Sequence, residues 1–276
     1  MRIDSHQHFW LYDEVKDAWI TDEMNVLKRN FLPNDIGQIL KDNAFDGVVA
    51  VQADQSHRET EFLVELAQVY KLIKGIVGWV DLRSELIEEY LHHFSKFPII
   101  KGFRHIVEAE VEGNFLIRDD FQRGIEALTK FNYTYDLLIR PRHYASTLLC
   151  VQNNPNQKFM LDHIAKPPIK SQEFDDWALF IDQLSKSPNV YCKISGLATE
   201  AEWSNWKLDH FSQYVEHVIN CFGINRVCFG SDWPVCLLAA TYEESIEIVK
   251  HKISAFTEDE QAGFWGITAT DFYGLK

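Results

Sequence analysis

The 276-residue sequence has no C-x-x-C pair; its five cysteines, Cys150, Cys192, Cys221, Cys228 and Cys236, are scattered. An odd, unpatterned set excludes a disulfide framework and a thiolate zinc site. Such thiols are expected to be buried and reduced, as in the cytoplasm. No stretch approaches the ~18 apolar residues of a membrane span. The opening residues Met1–His6 lack the apolar core of a signal peptide, so a cytoplasmic location is expected. Positive charge is in short supply. Lys and Arg total 27 against 41 Asp and Glu, a formal net charge of −14. A surface that acidic repels nucleic acid and anionic membranes, so neither is an expected partner. There is no Gly/Ser-rich or Pro-rich linker and no low-complexity tract. One domain over residues 1–276 is therefore expected; oligomeric state stays open.

What is present is ordinary globular material, 46% hydrophobic and 25% charged, enough for a substantial core. Short β-branched or aromatic runs alternate with longer stretches of helical spacing. The runs Arg2–Ser5, Gly47–Gln52, Gly75–Asp81, Ile99–Phe103, Thr134–Ile139, Lys158–Asp162, Val190–Ile194 and Arg226–Gly230 read as eight strands. Between them, Asn34–Asn43, Glu59–Tyr70, Leu86–Phe94, Phe121–Lys130, Ala145–Asn153, Phe174–Ser185 and Phe211–Phe222 read as helices. Thr241 with Glu244, and Thr257 with Glu260, make capping boxes for two more. Eight strand–helix units predict an α/β fold, a (β/α)8 TIM barrel, whose usual size is ~250 residues. The rival, a doubly wound open sheet, usually carries a Gly-rich loop after its first strand. Here Ser5-His6-Gln7-His8 stands in that place.

In a barrel, function gathers where the strands end. Those ends carry His6-Gln7-His8, Gln52, Arg104-His105, Arg140-Pro141-Arg142, Asp162-His163, Ser195 and Ser231-Asp232. His6 and His8, two residues apart on a strand, point to one side about 6–7 Å apart. Imidazoles so placed suit a divalent cation. Barrel closure sets strand 8 beside strand 1, so Asp232 arrives next to the pair, and His163 approaches from strand 6. These four make a complete set for one metal with room for a water. Arg104 reads either as a substrate-oxygen donor or as a rim ion pair. Trp10, Trp19 and Gln52 are candidate substrate contacts, a sugar platform for the tryptophans being weighed against core packing. Lys166 and Lys193 read as structural.

These residues resemble a family. Arg2-Ile3-Asp4-Ser5-His6-Gln7-His8-Phe9-Trp10 is similar to the opening of the lactonase branch of the amidohydrolase superfamily. Leu161-Asp162-His163-Ile164-Ala165-Lys166-Pro167 and Phe229-Gly230-Ser231-Asp232-Trp233-Pro234 resemble its strand-6 and strand-8 signatures. Trp19-Ile20, Phe31-Leu32-Pro33, Lys101-Gly102-Phe103-Arg104-His105 and Lys193-Ile194-Ser195-Gly196-Leu197 extend the likeness over nearly the whole chain. The resemblance implies a distorted barrel that hydrolyses lactones, such as L-fuconolactone, L-rhamnonolactone or 2-pyrone-4,6-dicarboxylate lactone. Binuclear members carry a Lys or Glu ending strand 4 and a His ending strand 5. Arg104-His105 and Arg140 stand there instead, and Lys101 lies too early, which argues against two metals. The branch is also said to include members that work without metal.

A small-molecule lactone is thus the expected partner and one divalent ion, zinc first, the expected cofactor, with metal-free catalysis as the alternative. Asp232 is the expected general base and His163 a second catalytic group. A dicarboxylate would demand convergent cations, for which Arg104, Arg140 and Arg142 are available. The acidic chain and the Trp and Gln at strand ends favour a neutral sugar lactone. A metal-dependent decarboxylase and a non-catalytic sugar-binding barrel are the other readings.

Overall fold

The computed structural model describes residues 1–276. Eight parallel strands follow one another in chain order: β1 (Ile3–Gln7), β2 (Gly47–Val51), β3 (Ile73–Gly78), β4 (Ile100–His105), β5 (Thr134–Leu137), β6 (Phe159–Leu161), β7 (Val190–Ile194) and β8 (Val227–Phe229). Eight helices cover the outside: α1 (Pro33–Asp42), α2 (His57–Val69), α3 (Ile87–Phe94), α4 (Asp119–Lys130), α5 (Tyr144–Asn153), α6 (Asp175–Leu184), α7 (Asp209–Phe222) and α8 (Tyr242–Ile253). The expected (β/α)8 barrel is the observed one. None of the helices is long and apolar enough to cross a membrane.

Strands buried on both faces read as near-continuous apolar runs, and Gly47-Val48-Val49-Ala50-Val51 is the clearest. Each helix buries one stripe. In α4 it is Phe121, Ile125 and Leu128, spaced for a single face. Both capping boxes form: Thr241 Oγ1 accepts from the Glu244 amide at 3.1 Å and Thr257 Oγ1 from the Glu260 amide at 3.4 Å. The barrel is distorted on one side, where register shifts interrupt the β1–β2, β2–β3 and β3–β4 pairings.

Closure between β8 and β1 occurs at the strands' C-terminal ends. The His8 amide donates to Trp233 O at 2.8 Å and the Asp232 amide to His6 O at 2.9 Å. Below them, Ser5 Oγ donates to Phe229 O at 2.6 Å, and Asp4 Oδ1 accepts from the Ser231 amide at 2.9 Å. The opposite end of the barrel is plugged. After α9 (Glu258–Ala262), the short helix α10 (Thr268–Tyr273) brings Phe272, Tyr273 and Leu275 against inward-facing Ile3, Val49, Val77, Met160 and Cys228. The interior is therefore apolar at its base and polar towards its mouth.

If this plug completes the core, Phe272→Ala should lower the unfolding free energy by about 3–5 kcal/mol. Urea unfolding measures it, and a loss below about 1 kcal/mol would contradict the plug's role.

Candidate active site

His6 and His8 end β1 and Asp232 follows β8, so the hydrogen bonds that close the barrel also set these side chains side by side. The two histidine Nε2 atoms are 3.2 Å apart. Asp232 Oδ1 lies 3.3 Å from His8 Nε2 and 3.8 Å from His6 Nε2. His163 Nε2 is 3.9 Å from the same oxygen, and its ring centroid is 4.4 Å from that of His6. All four side chains are buried. The structure thus brings together His6, His8, His163 and Asp232.

Strained backbone delivers two of them. His163, Ile164, Ala165 and Lys166 form an unbroken left-handed turn, with φ of 52°, 47°, 62° and 49°. No glycine relieves it, and such residues cost of order 1–3 kcal/mol each unless their surroundings over-determine them. Here Trp177 Nε1 donates to Ile164 O at 2.7 Å and the Tyr144 hydroxyl to Ala165 O at 3.3 Å. Asp232 is left-handed too, at φ 60°. Gly196 makes room for both: a Cβ there would sit 2.7 Å from His163 Nδ1 and 3.0 Å from Asp232 Oδ2.

Beneath the histidines lies a buried charge network. Lys193 Nζ is 2.6 Å from Asp136 Oδ2, 3.0 Å from Asp162 Oδ1 and 3.2 Å from His6 Nδ1. Arg104 Nη1 donates to Asp162 Oδ2 at 2.9 Å and Nη2 to Gln52 O at 2.6 Å. The Tyr273 hydroxyl reaches Asp136 from the plug at 2.7 Å. Lys193 is therefore no ordinary strand residue. It stands under His6, a placement its sequence surroundings do not announce.

Burial sets the site's proton affinities. It pushes His6 well below the ordinary imidazole value and His163 down to about 4, so both rings are neutral at pH 7. Burial would raise the Asp232 carboxyl, but His163, His8 and His6 outweigh it and hold the group well below the usual carboxylate range. Burial acts likewise on Asp162, where Lys193, His6 and Arg104 outweigh it and keep the carboxyl ionised.

The donor set fits a divalent cation. His8 Nδ1 faces Val51 O at 2.8 Å, and a carbonyl only accepts, so that nitrogen carries the hydrogen. In the neutral ring this leaves Nε2 as a lone pair towards Asp232. His6 Nδ1 lies between Asp162 Oδ1 at 3.3 Å, which would accept its hydrogen, and the Lys193 ammonium at 3.2 Å, which would donate to it; Arg104 Nη1, a donor 3.3 Å from Nε2, favours the lone pair on Nε2. Two imidazole lone pairs and one carboxylate oxygen, with His6, His8 and Asp232 ligand atoms all within 4.8 Å of one another, are a zinc-type set.

Above them opens a cavity of about 480 Å³, lined by His8, Arg104, Glu108, His163, Lys166 and Asp232 among others. Trp10 and Trp19 line it as well, their rings edge to face at 6.1 Å. Trp10 is buried and donates from Nε1 to Arg29 O at 2.9 Å, whereas Trp19 is 43% exposed and borders the mouth. Gln52, expected against substrate, does not line the cavity. Its Nε2 donates to Arg104 O at 3.2 Å across the barrel wall, and Gln55 lines the cavity instead. Lys166, read as structural, also lines it. Lys101 points to the plug and donates to Gly274 O at 3.0 Å.

Comparison with known proteins adds four findings. A sequence model described as Amidohydrolase matches residues 3–275. The chain is 36% identical to the L-fucono-1,5-lactonase of Burkholderia multivorans over 286 residues, covering 100% of this chain and 96% of that one. It is 31% identical to the L-fucono-1,5-lactonase of Burkholderia ambifaria, covering 87% and 83%. Among solved structures, an amidohydrolase from Burkholderia multivorans with bound zinc superposes with a TM-score of 0.96. That protein is 36% identical, with 100% of both chains covered.

A neutral buried His163 makes stability depend on pH. Between about pH 6.5 and 4 the unfolded chain binds a proton at this position that the folded protein does not, so stability falls as the pH drops. The shift corresponds to about 3 kcal/mol over that window. Urea unfolding of chelator-treated protein should show this loss, and His163→Gln should flatten it; an unchanged slope would contradict the assignment.

Proposed function

The chain belongs to the amidohydrolase family, and we propose that it opens the ring ester of a sugar-acid lactone, L-fucono-1,5-lactone first, to give the hydroxy acid. The observation that carries this reading is an ionised Asp232 set among buried imidazoles at the floor of a cavity large enough for one sugar ring. Full-length likeness to two L-fucono-1,5-lactonases supports the substrate class. One (β/α)8 domain over residues 1–276 carries the activity. The cysteines are all unpaired, which supports a cytoplasmic location.

Ester hydrolysis needs an activated water, a stabilised oxyanion and a proton for the leaving alkoxide. His6 Nε2, His8 Nε2 and Asp232 Oδ1 would hold one divalent ion, zinc by its donor types. When bound, that ion supplies Lewis acidity towards the carbonyl and towards water. Asp232 takes the proton of the attacking water as general base and later returns it to the ring oxygen as that oxygen leaves. Ser195 Oγ lies 2.9 Å from His163 Nδ1. With that hydroxyl donating, His163 carries its hydrogen on Nε2 and offers it to the developing oxyanion. Arg104 lines the cavity with its guanidinium held by Asp162 Oδ2 and Gln52 O.

Asp232→Asn keeps the side chain's size and removes the base. Its kcat on L-fucono-1,5-lactone, followed by proton release, should fall ~10²–10⁴-fold, and KM should change little. A folded variant within a few-fold of wild type would overturn the mechanism. Elemental analysis of the purified protein should find one zinc or similar ion per chain, lost when His6 and His8 are both changed to Ala. Metal retained in that double variant would place the ion elsewhere.

A further inference from the structure

Three arginines stand at the strand ends near the cavity, and none is free for an anionic substrate. Arg104 is held by Asp162 at 2.9 Å. Arg142 turns outward, where its guanidinium donates to the Glu110 and Glu108 carbonyls. Arg140 is gripped from two sides, by Glu108 Oε2 at 3.1 Å from Nε and Glu200 Oε2 at 2.6 Å from Nη1. The cavity's one lysine, Lys166, lies 2.7 Å from Glu108 Oε2, with Glu200 Oε1 at 3.9 Å.

Glu108, Arg140, Lys166 and Glu200 thus form a closed ring of alternating charge. They come from the loops after β4, β5, β6 and β7 in turn. Glu108, Arg140 and Lys166 face the cavity; Arg140, Lys166 and Glu200 also border a wider groove outside it. Glu108 is the cavity-side acid of the ring and touches both cations. Burial would raise its carboxyl, but Lys166 and Arg140 outweigh that and keep it ionised.

We propose that Glu108 is a specificity-determining residue: it makes this site select uncharged polyhydroxylated lactones over lactones that carry a carboxylate. It does so twice over. It neutralises the two cations that would otherwise recruit a substrate carboxylate. It also presents carboxylate oxygens, whose lone pairs exceed the donors already bound, to ring hydroxyls. Without its charge, Lys166 keeps only the 3.9 Å contact to Glu200 and becomes available to an anion. The inference rests on the lactonase reading above and names the chemistry that reading selects.

The test compares kcat/KM of the intact protein on L-fucono-1,5-lactone and on D-glucaro-1,4-lactone, which bears a free carboxylate. Wild type should prefer the uncharged substrate. Glu108→Gln, nearly equal in shape, should lose roughly 10- to 100-fold on it, mainly through KM, as expected for a lost charge-assisted hydrogen bond. The same variant should gain on the carboxylated lactone, so that the preference ratio falls by more than tenfold. If Glu108→Gln does not fold, Lys166→Gln serves: it removes the cation, leaves Glu108 facing the cavity, and should move the ratio the opposite way. A folded variant whose ratio stays within about threefold of wild type overturns the proposal while leaving the lactonase reading intact. A wild type that turns over the carboxylated lactone better overturns the proposal alone, and one that turns over neither lactone overturns both.

Discussion

A lysine ammonium sealed inside the barrel, between two carboxylates and beneath a histidine, governs how the rest of the site is arranged. Lys193 is fully buried with Asp136 at 2.6 Å and Asp162 at 3.0 Å. Charges so enclosed persist only if paired and hydrogen-bonded, and removing one partner of such a pair costs about 3–5 kcal/mol. Arg104 supplies the second cation, so two positive charges answer two negative ones. The four residues sit on β4, β5, the end of β6 and β7, and Lys193 and Asp162 both reach the His6 ring on β1. A structural necessity inside the barrel therefore fixes the orientation of a ring at its mouth. It also explains the plug, because Tyr273 gives Asp136 a further hydrogen bond from below.

Above that balanced layer the site carries one uncompensated charge, Asp232, among imidazoles that burial keeps neutral. A low-dielectric pocket with a single anion and lone pairs directed at it suits a divalent cation or a water that must lose a proton. The geometry is bought locally with strain, in the left-handed turn 163–166 and at Asp232, and Gly196 is the small residue that leaves space for both. The outer wall follows the same rule of compensation, with the cavity's cations matched by Glu108 and Glu200.

Much of this was legible in the sequence. The eight strands and the helices between them follow from alternating apolar periodicity, and their observed bounds differ from the expected ones by only a few residues. The convergence of His6, His8, His163 and Asp232 follows from placing each at a strand end and closing β8 on β1. Other features had no local signal. Lys193 lies in a strand whose pattern does not show that its side chain runs inward to meet Asp136 and Asp162. Gln52 ends a strand, but its amide is taken up by Arg104 O, which only the three-dimensional pairing shows. Glu108 sits in a loop without a motif, and its partners Arg140 and Lys166 lie 32 and 58 residues away in sequence. The left-handed turn is invisible for a different reason: no glycine marks it, and tertiary contacts hold Ile164 where its branched side chain disfavours it.

The central claim is that Asp232 activates a water which attacks the lactone carbonyl, rather than attacking it itself. A single turnover of L-fucono-1,5-lactone with enzyme in excess, run in ¹⁸O-water and read by mass spectrometry, separates the two. General-base catalysis predicts one ¹⁸O in the product carboxylate and unlabelled protein. Unlabelled product with ¹⁸O in the Asp232 peptide would contradict it, as would the absence of turnover.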